Sequence, residues 1–443
     1  MSLKNKPGLP FSHLNFDNWQ NLILVGLFIF YLSQFGFLLT KESFLRRYGV
    51  DYLAFWSVGR IADEKGYAEI YDLEDLRTTQ TQVLVTQGML EKGEGSIISP
   101  FPAPIFSFFI LPFLLLSRAD PKHSFWIWTS INLAVLIGYL IFFLRQILPE
   151  NHLSHSAIRI LILMFLSFPM IMNLTEGQVE VFLVVCMGEF IRNALNNKPL
   201  PSGIWLGGLL IKPQLLIIII PILLIQKNWK VLMGFFASSG VVIGSSVILS
   251  GFNGLRSLID LWTQFGSGIA TSSPESMINW RMVAVNIDSW FGWIVAILGI
   301  ALTFLVIIYL VRNNIAFGTP HWVMLMLGIF SATLAITWHS HFHMAAVLIP
   351  YLIYCTSSQL LNKKVVLYWA ISTPVILMVV TMVSLFIFIF IKLKVNDFGS
   401  VLLGFSGFLS NFVILGSVLR YLRIKNKNLE IPKSGNQPAQ ILP

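Results

Sequence analysis

Residues 201–226 read PSGIWLGGLLIKPQLLIIIIPILLIQ, an apolar stretch long enough to cross a membrane but interrupted at Lys212-Pro213-Gln214. As one straight span it would hold Lys212 near the middle of the hydrocarbon core, at about 2.5–3.5 kcal/mol. It would also carry both ends to the same side, because Arg192 and Lys198 precede it, Lys227 and Lys230 follow it, and basic residues favour cytoplasmic turns. Two short helices running out and back, with Lys212-Pro213-Gln214 at the outer turn, meet both constraints. Proline supports the break, since it disfavours helical geometry in the residue before it.

The composition agrees with a membrane location. Hydrophobic residues make up 55% of the 443, charged residues only 12%, and the mean hydropathy is +0.73, whereas a soluble domain carries about 25% charged residues. Apolar runs recur at 20–40, 124–145, 157–173, 178–193, 201–211, 213–226, 231–250, 286–311, 319–337, 343–358, 366–391 and 399–420, giving about twelve spans where a full crossing takes about 20 residues. They do not alternate in polarity as barrel strands would. The expected fold is therefore an all-α polytopic membrane protein, its first run a retained signal anchor.

Basic residues set the expected orientation. Lys4 and Lys6 place the N-terminus in the cytoplasm, and Arg420, Arg423, Lys425 and Lys427 place the C-terminus there. The net charge of +9 is spread through loops and tail, so no nucleic-acid partner is implied. Cys186 and Cys355 are far apart in apolar runs and suggest neither a disulfide nor a CxxC site. Residues 101–117, punctuated by Pro100, Pro102, Pro104 and Pro112, cannot span fully and are expected to be re-entrant or surface-lying.

The polar residues gather in what this topology makes the outer loops. Lys41 to Ser99 carries 7 basic and 10 acidic residues, a net charge of −3. Within it Tyr52, Phe55, Trp56 and Gly59 share one helix face, which predicts a surface-lying helix ended by Gly66-Tyr67, with a second from Asp72 to about Leu90. Asp51 starts the first helix, where a carboxylate serves equally well as an N-cap or as a catalytic base. The second outer loop, Gly251 to Val285, holds Arg256, Trp280 and Arg281. The third, around Trp338-His339-Ser340-His341-Phe342-His343, has no carboxylate near it in sequence, so no metal site is expected there. There is no GxGxxG element and no soluble nucleotide-binding domain.

The order of these elements resembles glycosyltransferase family 87. The resemblance is carried by Asp51-Tyr52 with Phe55-Trp56, Gly66-Tyr67-Ala68-Glu69-Ile70-Tyr71, Ser99-Pro100-Phe101-Pro102 and Glu176-Gly177-Gln178-Val179-Glu180. Gly207-Gly208-Leu209-Leu210-Ile211-Lys212-Pro213-Gln214 and Trp338-His339-Ser340-His341 complete it over roughly the first 350 residues. The chain departs from the family at Ser99-Pro100-Phe101-Pro102, where Tyr-Pro-Pro is usual, and at Glu180, where many members carry Asn.

The resemblance implies a GT-C-type fold and a catalytic module over 1–350 with outer loops at 41–123 and 251–285. Residues 351–443 would supply further helices and a basic cytoplasmic tail. It implies transfer of a hexose, mannose above all, from a polyprenyl-phosphate-linked donor to a lipid or glycan acceptor at the outer face of a prokaryotic plasma membrane, with no cofactor. Asp51 is the expected catalytic base. The leaving phosphate is expected to meet Lys212, Arg281 and Arg256 with His339 or His341, while Tyr52, Trp56 and Gln178 contact substrate. A lipid-linked-sugar flippase is the alternative, since transporters also combine many spans with broken helices.

Overall fold

The computed structural model describes residues 16–39, 50–86, 100–147, 155–267, 274–287, 290–313, 315–391 and 398–430. Lys4, Lys6, Gly49 and Ser99 lie outside them, as do residues 87–90 of the second loop helix. Among the described residues every regular element is helical.

The chain opens with α1 (Phe16–Leu39), α2 (Val50–Glu64) and α3 (Leu73–Thr86). Gly66, at φ +99°, turns the chain after α2 where Gly66-Tyr67 predicts a stop. Asp72 starts α3 by accepting the backbone N–H groups of Glu74 and Asp75, both at 2.8 Å, as an N-cap does. A 3₁₀ turn at Ser107–Ile110 leads into the short α4 (Leu111–Leu116), followed by α5 (Pro121–Ile147), α6 (His155–Phe165) and α7 (Phe168–Glu176). Then come α8 (Glu180–Leu195), α9 (Pro199–Leu206), α10 (Leu216–Ile225), α11 (Trp229–Ser267), α12 (Trp280–Asn286) and α13 (Trp290–Val311). The last four are α14 (Pro320–Ile336), α15 (Ile349–Ser357), α16 (Lys363–Ile391) and α17 (Phe398–Glu430).

Among the described residues five helices are long and apolar enough to cross a membrane, those within α5, α11, α13, α16 and α17, and α6 with α7 makes a sixth if the 49° bend between them lies within one span. The chain is therefore a polytopic, multi-pass membrane protein. The other apolar stretches, as far as they are described, are shorter apolar helical segments of 10–17 residues, where the run lengths alone suggested about twelve crossings. Two of these stretches break at Lys212 and after Ile336.

The Pro201–Gln226 stretch breaks where its sequence predicts. Lys212, at φ −134° and ψ 72°, separates a 3₁₀ turn at Gly207–Ile211 from another at Pro213–Leu215. Helix α9 runs alongside the start of α11 so closely that a Cβ on Gly203 would stand 1.8 Å from the Val231 carbonyl oxygen, and one on Gly207 would stand 2.0 Å from Ser238 Oγ. Gly234 answers from α11, where a Cβ would meet the Leu200 carbonyl oxygen at 2.1 Å. Since α10 ends only a short turn before α11 begins, the start of α9 and the end of α10 lie at one level. Lys212 is at the far turn. Small residues are what let helices approach this closely in an apolar medium.

Two expectations need correction. Helix α2 does not lay one face on a surface: Tyr52 through Gly59 are all buried by protein. Phe55 stacks on Phe113 at 5.0 Å, and a Cβ on Gly59 would stand 2.3 Å from the Phe113 carbonyl oxygen. The Gly251–Val285 loop is also largely helical. Gly251, at φ 70°, kinks α11, whose second arm carries Trp262 back to donate its indole N–H to the Pro104 carbonyl at 2.8 Å. The irregular backbone of residues 101–117 is covered accordingly. Ser246 Oγ accepts the Phe108 N–H, and Ser107 Oγ reaches both the Ser246 carbonyl and Ser250 Oγ.

Gly203→Val should lower the unfolding midpoint, because the overpacked contact with α11 costs about 1–3 kcal/mol. Gly240→Val, whose Cβ would have nothing within 4 Å, should leave it unchanged in the same detergent melt.

Candidate functional site

The turn between α7 and α8 organises the polar cluster. Gly177 caps α7 in the left-handed region, at φ 69° and ψ 35°. A Cβ there would stand 2.6 Å from Tyr52 Cβ and 3.0 Å from the Phe125 ring. Glycine thus serves twice, once for the backbone turn and once for the close approach of α2. The turn is held from outside by Trp128, whose indole N–H donates to the Gly177 carbonyl at 2.9 Å, and by Asn173, whose Oδ1 accepts the Glu180 N–H at 2.9 Å.

This approach sets Asp51 against Gln178. Helix α2 begins at Val50, so Asp51 is in its first turn rather than before it, and its Oδ2 accepts the side-chain N–H of Gln178. The other end of that amide, Oε1, accepts from Lys212 Nζ at 3.3 Å. The same ammonium lies 3.5 Å from Glu180 Oε1, which is 2.7 Å from His343 Nδ1. A chain of contacts therefore runs Asp51, Gln178, Lys212, Glu180, His343, drawing on four segments. One ligating atom from each of Asp51, Glu176 and His343 lies within 4.8 Å of the others. The carboxylates that the histidine turn lacks in sequence come from α2 and α7.

Arg281 approaches the histidine turn from α12. Asn279 caps that helix, its Oδ1 accepting the Met282 N–H at 3.2 Å, and ties it down by donating Nδ2 to the Thr337 carbonyl at 2.7 Å. Arg281 is 8% exposed, its guanidinium 4.7 Å from the centre of the Trp338 ring, which stacks on Trp293 at 6.0 Å. Its Nη1 is buried with no hydrogen-bond partner among the described residues. Buried donors are rarely left so, and this one is suited to an anion.

His339 and His341 stand ring to ring at 4.8 Å, with His343 5.9 Å beyond. Burial pushes His339 down to about 3, with Lys212, His343 and Arg281 all disfavouring its charge, and burial holds His341 well below its ordinary value. Both are neutral imidazoles near pH 7, able to donate a hydrogen bond but not a charge. The remaining candidates lie apart from this chain of contacts. Arg256 is exposed on the second arm of α11. Tyr52 is fully buried with its hydroxyl on Ser124, and the Trp56 indole donates to the Ala119 carbonyl at 3.0 Å. Trp280 donates to Thr303 Oγ1 at 3.0 Å and fills the space over Gly299.

A family model, Glycosyltransferase family 87, matches residues 103–337. The chain belongs to that family. This places it among membrane glycosyltransferases and so decides between enzyme and flippase. The match covers the α7–α8 turn, Lys212 and Arg281, whereas Asp51 and the histidine turn flank it. No curated protein and no solved structure matches the chain.

Sequence reasoning did not single out Glu176 or His343 as site residues, and weighed Glu180 only as a substrate contact or a helix start. The available signal was physical: Glu180 begins an apolar helix, and a carboxylate buried there needs a cationic or hydrogen-bonding partner.

Two outcomes test this geometry. Gly177→Ala forces a left-handed alanine, at about 1–2 kcal/mol, and drives α2 away, so both thermal stability and transfer should fall. For the histidines, a folded-state pKa below the ordinary 6.5 means that the unfolded chain binds more protons between the two values. Stability should therefore fall as pH drops from about 6.5 toward about 3. Unfolding midpoints measured from pH 7.5 to 4.5 should decline less steeply for His339→Gln than for the wild type.

Proposed function

We propose that this glycosyltransferase moves a hexose, with mannose as the first sugar to test, from a polyprenyl-phosphate-linked donor to a hydroxyl of a lipid or glycan acceptor. The transfer takes place at the outer face of a prokaryotic plasma membrane, both termini of the chain being cytoplasmic. The fold belongs with the GT-C type, its short helices counting toward about twelve membrane passages. Family membership supports the sugar transfer. The observation that carries the rest is the joining of one half-buried carboxylate, Asp51, to Lys212 through Gln178.

In this reading Asp51 is the general base. The acceptor O–H bond breaks and its proton passes to the Asp51 carboxylate, while the acceptor oxygen forms a bond to the anomeric carbon. The bond from that carbon to the phosphate oxygen breaks on the opposite face, and its electron pair leaves with the polyprenyl phosphate. Configuration inverts. The leaving phosphate is already a stable anion and needs positive neighbours, for which Lys212 and Arg281, whose Nη1 has no hydrogen-bond partner among the described residues, are suited. Neutral His339 and His341 supply hydrogen bonds. Gln178 positions the base, and a groove between helices takes the polyprenyl chain.

Asp51→Asn keeps the shape and removes the basicity, so transfer should drop by about 10²–10⁴-fold. The assay uses purified protein in lipid nanodiscs with polyprenyl-phosphate-mannose and an extract of candidate acceptors. Near-normal transfer by a folded Asp51→Asn protein would end the role of Asp51 as base. Arg281→Ala should weaken donor binding, and unchanged binding would return Arg281 to a packing role.

A further inference from the structure

We propose that Asp51, Glu176 and His343 hold one divalent metal cation, with Glu180 buried behind the histidine. Ligands that each sit about 2.1 Å from an ion stand about 3–4.2 Å from one another. One ligating atom from each of the three residues lies within 4.8 Å of the others, so a small closure brings all three onto a common ion.

The pairing behind His343 supports ligation independently. Its Nδ1 is 2.7 Å from Glu180 Oε1, an arrangement in which the ring N–H donates to the carboxylate. That fixes the tautomer and leaves Nε2 with a free lone pair. Metal-bound histidines typically show this, the second nitrogen donating to a carboxylate that orients the ring and raises its basicity.

Glu180 keeps one oxygen unmet although Lys212 and His343 both reach the other. It is fully buried, and its Oε2 has no hydrogen-bond partner among the described residues. An unsatisfied buried carboxylate oxygen is costly, more so beside like charges. Asp51 and Glu180 both add negative charge beside Glu176, and Lys212 opposes them. A divalent ion supplies the charge that the cluster lacks.

The donor set selects the ion class. Carboxylate oxygens with one imidazole and no thiolate suit a hard to borderline cation such as Mn²⁺. Asp51 can serve both the ion and the acceptor, because a carboxylate offers about four lone-pair positions and Gln178 takes one. The cation site rests on the chain's own side chains and holds whatever the sugar.

The test needs no sugar substrate. Full-length protein in nanodiscs, stripped with EDTA, is titrated with Mn²⁺ while electron paramagnetic resonance reads the free ion. The wild type should bind one Mn²⁺ per chain. Glu176→Gln and His343→Gln should each weaken binding at least about 10-fold, and Glu180→Gln by about 10–100-fold as an outer partner. Pulsed measurements should show a coordinated imidazole nitrogen that His343→Gln abolishes. Absence of saturable binding in the wild type would overturn the site, as would Mn²⁺ that shows no nitrogen coupling. Binding unchanged in Glu176→Gln and His343→Gln proteins of wild-type melting temperature would do the same. Because transfer is not measured, failure here leaves Asp51 as base untouched, and failure of the transfer assay leaves the cation site standing.

Discussion

Burying Glu180 is the constraint on which the arrangement depends. An isolated carboxylate inside an apolar bundle is too costly to keep charged. Here it begins α8, where the helix dipole favours a negative group, and it is met by Lys212 and His343 from segments far away in sequence. Each partner comes from a place where the helical ladder is broken. Lys212 lies between two 3₁₀ turns, and His343 lies in the 3₁₀ segment that follows α14. A continuous helix could not aim these side chains inward from those positions and also satisfy its neighbours.

The helix breaks therefore build the site. Non-helical backbone within a membrane protein is tolerated where protein covers it and side chains satisfy the freed groups. Asn173 and Trp128 do this for the Gly177 turn, Ser246 for the segment before α4, and Asn279 for the strap between α12 and the histidine turn. Glycines supply the remaining condition, close approach. Gly177 admits Tyr52, and with it the first turn of α2, to within contact of Gln178.

Much of this was legible in the sequence. A lysine-proline pair inside an apolar run predicts the break at Lys212, and Gly66-Tyr67 predicts the end of α2. Asp51, Lys212 and Gln178 could be chosen as polar residues near apolar ends, and they do meet. What the pattern could not convey is the third dimension. Tyr52 and Trp56 share a helix face with the right spacing for a surface-lying helix, yet neighbouring helices bury Tyr52 through Gly59 on every side. Three histidines in five residues showed no local carboxylate because their partners are supplied by tertiary contact across more than 160 positions. The crossing count was equally hard to read, since apolar composition is the same in a full span and in a short helix covered by its neighbours.

The charges also separate into two poles, and the histidine turn lies between them. Asp51, Glu176 and Glu180 gather where α2, α7 and α8 meet, while Arg281 is strapped by Asn279 to the other side of the turn. Lys212 and Arg281 both act on His339. A charged imidazole at that point would be repelled from both sides in a setting with little water, so the turn stays neutral and the field between the poles is preserved. That field is what an incoming phosphate would meet, its oxygens drawn toward the guanidinium and away from the carboxylates. In the proposed transfer, polarity across the turn orients the donor phosphate toward Arg281 and leaves its sugar-bearing side toward Asp51.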